Sequence, residues 1–355
     1  MSIFSFLKGR LRLPYTLTIV CPDRNFLLEH LYPFKQGIGG GKTSTLLFTY
    51  AARKYFKNVF FISNVKEEKK GNISYVHLDN VKKIDTDVLL ATTSSDLDFS
   101  YLLNIKISAK VKVSWLHNHL WIKDFDKINW DFIISCSHYV KNIFRSRYGY
   151  NNIYTIHNAT PWSKRGELLG KFVRRDPYGL VFASAPRKGL DNLIELVKIL
   201  RAELKKPFSL DIYGGYQLWG LDKDITVNED FIRFKGNKNL HDLTKALHKY
   251  SFMLSIYDFE EPFGMIYTQA MKAGVINIVS NVGGINEYIK SGLNGFLINH
   301  TELNDLAIRE IVDIFRYLLK DSTKINAIRK NAQGYSRNWD DVLREFCCLI
   351  GVKLQ

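Results

Sequence analysis

Cysteine is scarce in this chain: four residues in 355, at Cys21, Cys136, Cys347 and Cys348. None stands at a metal-ligand spacing, and the adjacent pair is poor disulfide material, so neither a zinc module nor a stapled fold is expected. Long hydrophobic runs are missing as well, with no apolar stretch approaching the ~20 residues needed to span a bilayer. The opening segment, MSIFSFLKGRLRLPY, is too briefly apolar for a secretory signal and has no cleavage site. A reduced, cytoplasmic protein is the expectation. Internal repeats, low-complexity tracts and nucleic-acid-binding motifs are also absent, so no nucleic-acid partner is expected.

What is present is length, ordinary hydrophobicity and a basic excess. The 355 residues allow two α/β domains, each with a full core, and 46% hydrophobic with 24% charged residues is ordinary for a globular protein. The formal net charge of +15 calls for anionic partners, and the basic residues are scattered rather than gathered in a tract. One reading of the N-terminus sets Lys8, Arg10 and Arg12, beside Ile3, Phe4, Phe6 and Leu7, against an anionic membrane surface. The other is a lead-in to the first strand.

Strand and helix patterns alternate from end to end, which predicts parallel sheets with crossover helices. Strands are expected at 15–21, 58–63, 73–78, 88–92, 111–116, 132–136 and 152–156, with helices at 43–55 and 139–148. A polar, basic linker at 162–178 leads to a second set of strands at 180–184, 208–213, 231–235, 252–257 and 275–280. Helices follow at 189–204, 302–320 and 324–333, and a last one starts at Asp340.

Residues 254–295, LSIYDFEEPFGMIYTQAMKAGVINIVSNVGGINEYIKSGLNG, are the most informative stretch. A hydrophobic strand runs into the acidic turn Glu260-Glu261-Pro262-Phe263-Gly264, then a short amphipathic helix, a second strand and a Gly283-Gly284 turn before Glu287. Glu261 and Gln269 are separated by roughly 12 Å of axis and about 80° of turn if both are helical. One side of one helix is thus expected to hold both ends of a nucleotide-sugar, its pyrophosphate at the positive N-terminus.

This pattern resembles the donor-binding segment of retaining GT-B glycosyltransferases, glycosyltransferase family 4 in particular, with its E-x7-E signature. The matching positions are Glu261, Phe263 and Gly264, then Gln269-Ala270-Met271-Lys272-Ala273-Gly274, Gly283-Gly284-Ile285-Asn286-Glu287 and Asn294-Gly295. The main departure is Gln269, where the family has its second Glu. The resemblance implies two Rossmann-like, doubly wound α/β domains facing a central cleft, with the C-terminal helix crossing back to the first. The acceptor-binding domain would take in 1–165 plus the helix at 338–355, and the donor-binding domain 166–337. It further implies metal-independent transfer of a hexose, with retention, from a nucleoside-diphosphate sugar to a sugar hydroxyl of a glycolipid or surface polysaccharide. UDP-sugars are favoured over GDP-sugars. No other cofactor and no metal is expected, and the protein would be cytoplasmic, peripheral at the inner membrane face if the basic surface meets lipid.

Site roles follow from the same resemblance. Glu261 is expected to contact the transferred sugar and stabilise positive charge at the anomeric carbon, with the backbone of Phe263, Gly264 and Met265 facing the pyrophosphate. Alone, Glu261 would read as an acidic residue favouring a helix dipole. Gln269 takes the position whose carboxylate grips the ribose hydroxyls, and its neutral amide is expected to weaken donor binding about tenfold. Lys188 matches the family's Lys beside the leaving diphosphate, and Arg187 stands in for a missing second cation. His117 ends a strand where the family often has a His touching the donor sugar, with His119 as the fallback; a single His there is usually structural, but two in one loop with polar neighbours favour a catalytic role for His117.

The run Gly37-Ile38-Gly39-Gly40-Gly41-Lys42-Thr43 invites comparison with a Walker A loop, but position 36 is Gln where that motif needs Gly. Gly39, Gly40 and Gly41 are read instead as a glycine-rich loop near the donor, with Lys42 a phosphate or acceptor contact. An NTP-binding P-loop protein and a catalytically impaired scaffold remain the rival readings. D-x-D pairs at Asp85/Asp87, Asp96/Asp98, Asp124/Asp126 and Asp222/Asp224 are scattered and point to no metal.

Overall fold

The structure, a computed structural model, describes residues 13–25, 27–28, 35–219, 225–226 and 228–352. The basic–apolar N-terminus around Lys8, Arg10 and Arg12, and the Asp222/Asp224 pair, lie outside them. The first lobe runs β1 (Leu13–Cys21), α1 (Gly40–Ala52), β2 (Phe56–Ser63), β3 (Glu68–Lys70), β4 (Ile73–His77), β5 (Lys83–Thr93), α2 (Ser100–Leu103), β6 (Lys106–Leu116), β7 (Phe132–Ser135), α3 (His138–Tyr148) and β8 (Ile153–Thr155). Its strands form one sheet in the order β3-β4-β2-β1-β5-β6-β7-β8, parallel except for β3 against β4. Central β1 carries Leu17, Ile19 and Val20 fully buried, as strands covered by helices on both faces must be.

The second lobe runs α4 (Lys164–Gly170), β9 (Gly179–Ser184), α5 (Leu190–Leu204), β10 (Ser209–Gly214), β11 (Ile232–Gly236), α6 (Leu240–Leu247), β12 (Phe252–Ser255), α7 (Met265–Lys272), β13 (Ile276–Ser280), β14 (Phe296–Ile298), α8 (Asp305–Leu319), α9 (Ser322–Gln333) and α10 (Trp339–Leu349). Its sheet, β11-β10-β9-β12-β13-β14, is wholly parallel. The core on one face joins α5 and α8 through Leu196, Leu200, Val312 and Phe315 beneath β9, β10 and β12. Helix α10 leaves this lobe and packs Val342, Leu343, Phe346 and Cys347 into the first, where Phe346 meets Phe48 of α1 edge-on at 5.3 Å.

Two expectations need correction. The segment 162–178 is not a plain linker, since it contains α4, capped by the Ser163 hydroxyl and laid against α6. Nor do Glu261 and Gln269 share a helix. Gly264 at φ +77° starts α7 at Met265, leaving Glu261 in the turn before it. A left-handed residue cannot continue into a helix from the N-terminal side, so the acidic turn and α7 are separate units. Among the described residues no helix is long and apolar enough to cross a membrane.

Candidate active site

The lobes enclose a cleft of about 770 Å³ at the carboxyl ends of their central strands. Every residue singled out above as a site residue lines it: Gly39, Gly40, Gly41 and His117 from the first lobe, and Arg187, Lys188, Glu261, Phe263, Gly264, Met265 and Gln269 from the second. Lys42 and His119 line it too. Residues up to 230 positions apart in sequence thus meet at one place, although several meet differently from expectation.

Three of the helices that begin at or beside this cleft have no side-chain cap, whereas α6, which starts at Leu240 in its wall, is capped by Asn239. Gly39 precedes α1, Gly189 precedes α5 just after Lys188, and Gly264 precedes α7. The first amides of a helix have no intrahelical acceptor, and a glycine supplies none. These ends therefore offer donors and the positive pole of the helix dipole to an anion. Glycine is needed for closeness as well. A Cβ at Gly41 would collide with Ser94, while Gly40 faces the Met265 methyl of the opposite lobe with room for ordinary contact.

Glu261, 6% exposed, forms an ion pair with Lys188 at 2.5 Å, and the Tyr257 hydroxyl lies 3.5 Å from the same carboxylate oxygen. Phe259 carries Arg187 over its ring at 4.4 Å and Lys188 at 5.5 Å. The turn holding Glu261 is braced twice. The Gly284 N–H donates to the Glu261 carbonyl at 2.8 Å, and the Tyr288 hydroxyl reaches the Phe263 carbonyl at 2.6 Å. Gly283, at φ +61°, is obligatory there, because a Cβ would collide with the Glu261 carbonyl. Phe259, Tyr257 and Tyr288 belong to the site's support and were not singled out from sequence.

Gln269, 3% exposed, sits one turn into α7 and donates from Nε2 to the Thr244 hydroxyl of α6 at 3.3 Å. On the opposite wall, His117 is buried between Thr92 and Asn158, with Nδ1 3.0 Å from the Thr92 hydroxyl and Nε2 3.2 Å from Asn158 Oδ1. Burial lowers its pKa to about 4, although Asn158 opposes the shift, so the ring is neutral at pH 7. One tautomer satisfies both partners: Nε2–H donating to Asn158, and Nδ1 accepting from Thr92. His119 is also buried, and its Nε2 lies 3.1 Å from Glu260 of the second lobe. Its Nδ1 is a buried polar atom without a protein partner. Lys42 donates to Asn25. Its charge acts on Asp23, at the end of β1, which sequence reading passed over. Burial raises the Asp23 pKa, but hydrogen bonds from Thr93, Ser94 and Ser95 outweigh it and hold the carboxyl below its ordinary value.

The Glu287 carboxylate does not face the cleft. It accepts from the His138 and Tyr139 amides at 2.9 and 2.8 Å, capping α3 of the first lobe, and from His157 Nε2 at 2.6 Å. Burial raises its pKa, yet these bonds outweigh burial and keep it below the usual value. Among the described residues, His138, His157 and Glu287 are the one group whose ligand atoms lie close enough to hold a metal, all within 4.8 Å. That carboxylate is already occupied as a latch between lobes. Of the described D-x-D carboxylates, Asp87 is bonded to Lys110 and Thr16, Asp98 to Lys123 and Ser100, and Asp124 to Lys127.

Residues 179–335 match the family described as Glycosyl transferases group 1. A glycosyltransferase of Methanocaldococcus jannaschii, MJ1178, itself uncharacterized, is 26% identical over 233 residues, 63% of this chain and 59% of its own length. The lipopolysaccharide 1,2-N-acetylglucosaminetransferase of Salmonella typhimurium is 25% identical over 191 residues, 49% of this chain and 48% of its own. The match thus spans less than two thirds of either relative. Among solved structures, HepE of Anabaena in complex with UDP superposes with a TM-score of 0.63 at 15% identity, over 95% of this chain and 99% of that one. The architecture is accordingly that of the GT-B glycosyltransferases, two parallel-sheet Rossmann-like domains.

Proposed function

Taking the group 1 glycosyltransferase character of the second lobe as premise, we propose that the chain transfers a hexose from a UDP-sugar to a sugar hydroxyl of a glycolipid or surface polysaccharide. Transfer retains the anomeric configuration and needs no metal. One observation carries the reading. The Lys188–Glu261 pair and the uncapped starts of α1 and α7 line a single cleft, so acid, cation and amide donors converge where a diphosphate and its sugar would meet. The second lobe, 166–337, is the donor domain in this reading. The first, 1–165 with the C-terminal helix, takes the acceptor.

In this mechanism the α7 amides at Met265 and Ile266, with Lys188 and Arg187, hold the diphosphate and stabilise the charge it gains as the glycosidic bond breaks. Separation of charge leaves the anomeric carbon cationic, and Glu261 is the carboxylate placed to stabilise it. The departing phosphate takes the acceptor proton. Neutral His117 presents a packed, uncharged wall to the sugar, and closure of the lobes excludes water. The choice of uracil is supported by the UDP and UDP-glucose complexes of HepE, which concern that protein. The test is hydrolysis of a panel of UDP-, GDP- and ADP-sugars by the purified chain. Release of UDP without added metal, unaffected by EDTA, is the expected result. Failure to bind any nucleotide-sugar, or hydrolysis of nucleoside triphosphates lost on Lys42→Ala but untouched by Glu261→Ala, would defeat it in favour of an NTP-binding protein.

A further inference from the structure

Helix α4 has two unequal faces. Its inner face is glycine: a Cβ at Gly166 would collide with the His241 carbonyl and Thr244, and one at Gly170 with the His248 ring, all on or beside α6. This spacing sets α4 directly on α6, and it fixes the helix's rotation, because no other face could approach so closely. The outer face is therefore held in solvent, and it is apolar. Leu168 is 61% exposed, Leu169 45%, and Phe172, just past the helix end, 90%. Around this trio stand Lys164, Arg165, Lys171 and Arg174, all exposed. The single acid of the segment, Glu167, is turned to the Trp162 indole N–H at 2.8 Å.

We propose that this face docks the chain onto the surface of an anionic lipid bilayer, with Leu168, Leu169 and Phe172 entering the headgroup–acyl boundary and the four cations facing lipid phosphates. An aromatic ring almost wholly in water, beside two leucines, is the apolar anchor such a surface takes up. The surrounding charge is of one sign and complements an anionic leaflet. A second copy of this chain is disfavoured, because pairing the apolar trios would bring four cations against four. The position suits the proposed reaction. Helix α6 lies between α4 and the cleft, which its Leu240 and Leu243 line, so the docked outer face is about two helix diameters, roughly 20 Å, from the site. Only this last point, which brings a lipid-linked acceptor near the donor, rests on the transferase reading. Docking itself does not.

The test is flotation of the full chain with phosphatidylcholine–phosphatidylglycerol vesicles against pure phosphatidylcholine. Binding is expected to the anionic vesicles and to weaken with salt. The variants Leu168→Ser/Leu169→Ser/Phe172→Ser and Lys164→Ser/Arg165→Ser/Lys171→Ser/Arg174→Ser should each lower partitioning by about tenfold or more, with unchanged circular dichroism. Absence of wild-type flotation, or flotation indifferent to both variants, overturns the proposal. So does its loss on Lys8→Ser/Arg10→Ser/Arg12→Ser alone, which would assign docking to the N-terminus. A dimer in solution that the leucine–phenylalanine variant dissolves, without vesicle binding, would put a second copy on this face instead. UDP-glucose binding measured in parallel separates the two readings: it can fail while flotation persists, and flotation can fail while it persists.

Discussion

The helices of this molecule begin in two ways, and the glycine-led starts gather in one place. Ser137, Ser163, Asn239, Asn304, Asp321 and Asn338 precede α3, α4, α6, α8, α9 and α10, each accepting from a first-turn amide, and of these α6 starts in the cleft wall, at Leu240. At the cleft, α1, α5 and α7 start behind glycine with no cap; short α2 is the one other uncapped start among the described residues. Glycine in place of a capping side chain costs about a few tenths of a kcal/mol, so three such starts in one place are a small stability loss concentrated at the site. Such a loss is reasonable where a ligand supplies the missing acceptors. The capped ends serve the fold, and the uncapped ends leave amide donors open toward the cleft.

Breaking the ionic side of the cleft should have the largest effect. Glu261→Ala removes the carboxylate nearest the proposed anomeric centre and leaves Lys188 without its partner. We expect turnover of the preferred UDP-sugar to fall about 10²–10³-fold, in line with loss of a preorganised electrostatic group. Steady-state kinetics on the folded variant decides it, and unchanged turnover would remove Glu261 from the reaction.

The first-lobe wall is neutral by contrast, and pH tests that. His117 has a folded pKa of about 4, while an unfolded histidine titrates near 6.5. Between those values the unfolded chain binds the extra proton, so the contribution is complete above about pH 6.5 and is lost as pH falls toward 4. Denaturant titrations at pH 7 and 5 should show a loss of about 2 kcal/mol from this group. His117→Gln should lack that component. An equal loss in both proteins would mean that the imidazole is not held neutral.

Converting an uncapped end into a capped one tests the comparison itself. Gly39 has φ −56° and ψ 152°, an extended conformation suited to an N-cap, and a Cβ there meets nothing within 4 Å. Gly39→Asp should therefore stabilise α1 by a few tenths to about 1 kcal/mol in thermal melts. The same carboxylate would occupy the amides and repel a diphosphate, weakening UDP-glucose binding about tenfold or more by calorimetry. Tighter folding with undiminished binding would show that the α1 end does not receive the anion.

The alternating architecture and most site positions were legible in the sequence, because parallel strands buried on both faces and glycine-led helices leave local patterns. The glycines at 39–41 and 283–284 could be placed for the same reason. What was not legible depends on partners far along the chain. Glu287 reads locally as part of a turn, yet its acceptors are used by His138, Tyr139 and His157, some 130–150 positions away. Asp23 and Asn158 act through loops on neighbouring strands. Helix α4 escaped notice because seven residues containing two glycines resemble a loop, and only close contact with α6 explains them. The helix assumed to join Glu261 and Gln269 fails at a single residue, Gly264, whose positive φ the sequence permits but does not announce.

That failure bears on the smallest expected effect, at Gln269. With Glu261 outside α7, the two residues are placed independently, and changing one need not disturb the other. Gln269 is buried and uses Nε2 as a donor to Thr244 Oγ1, a hydroxyl that can reverse and donate to a carboxylate. In Gln269→Glu the empty protein must bury a charge, which should lower its stability by about 1–3 kcal/mol. A nucleotide ribose arriving with two hydroxyl donors would offset this, since hydrogen bonds to a charged acceptor are worth roughly 1.5–3 kcal/mol against about 0.5–1.5 for a neutral one. Donor affinity should therefore rise up to about tenfold while turnover changes little, and the gain should fade in acid as the new carboxyl protonates. Weaker binding of UDP-sugar at every pH would place the ribose elsewhere and leave Gln269 as packing between α6 and α7.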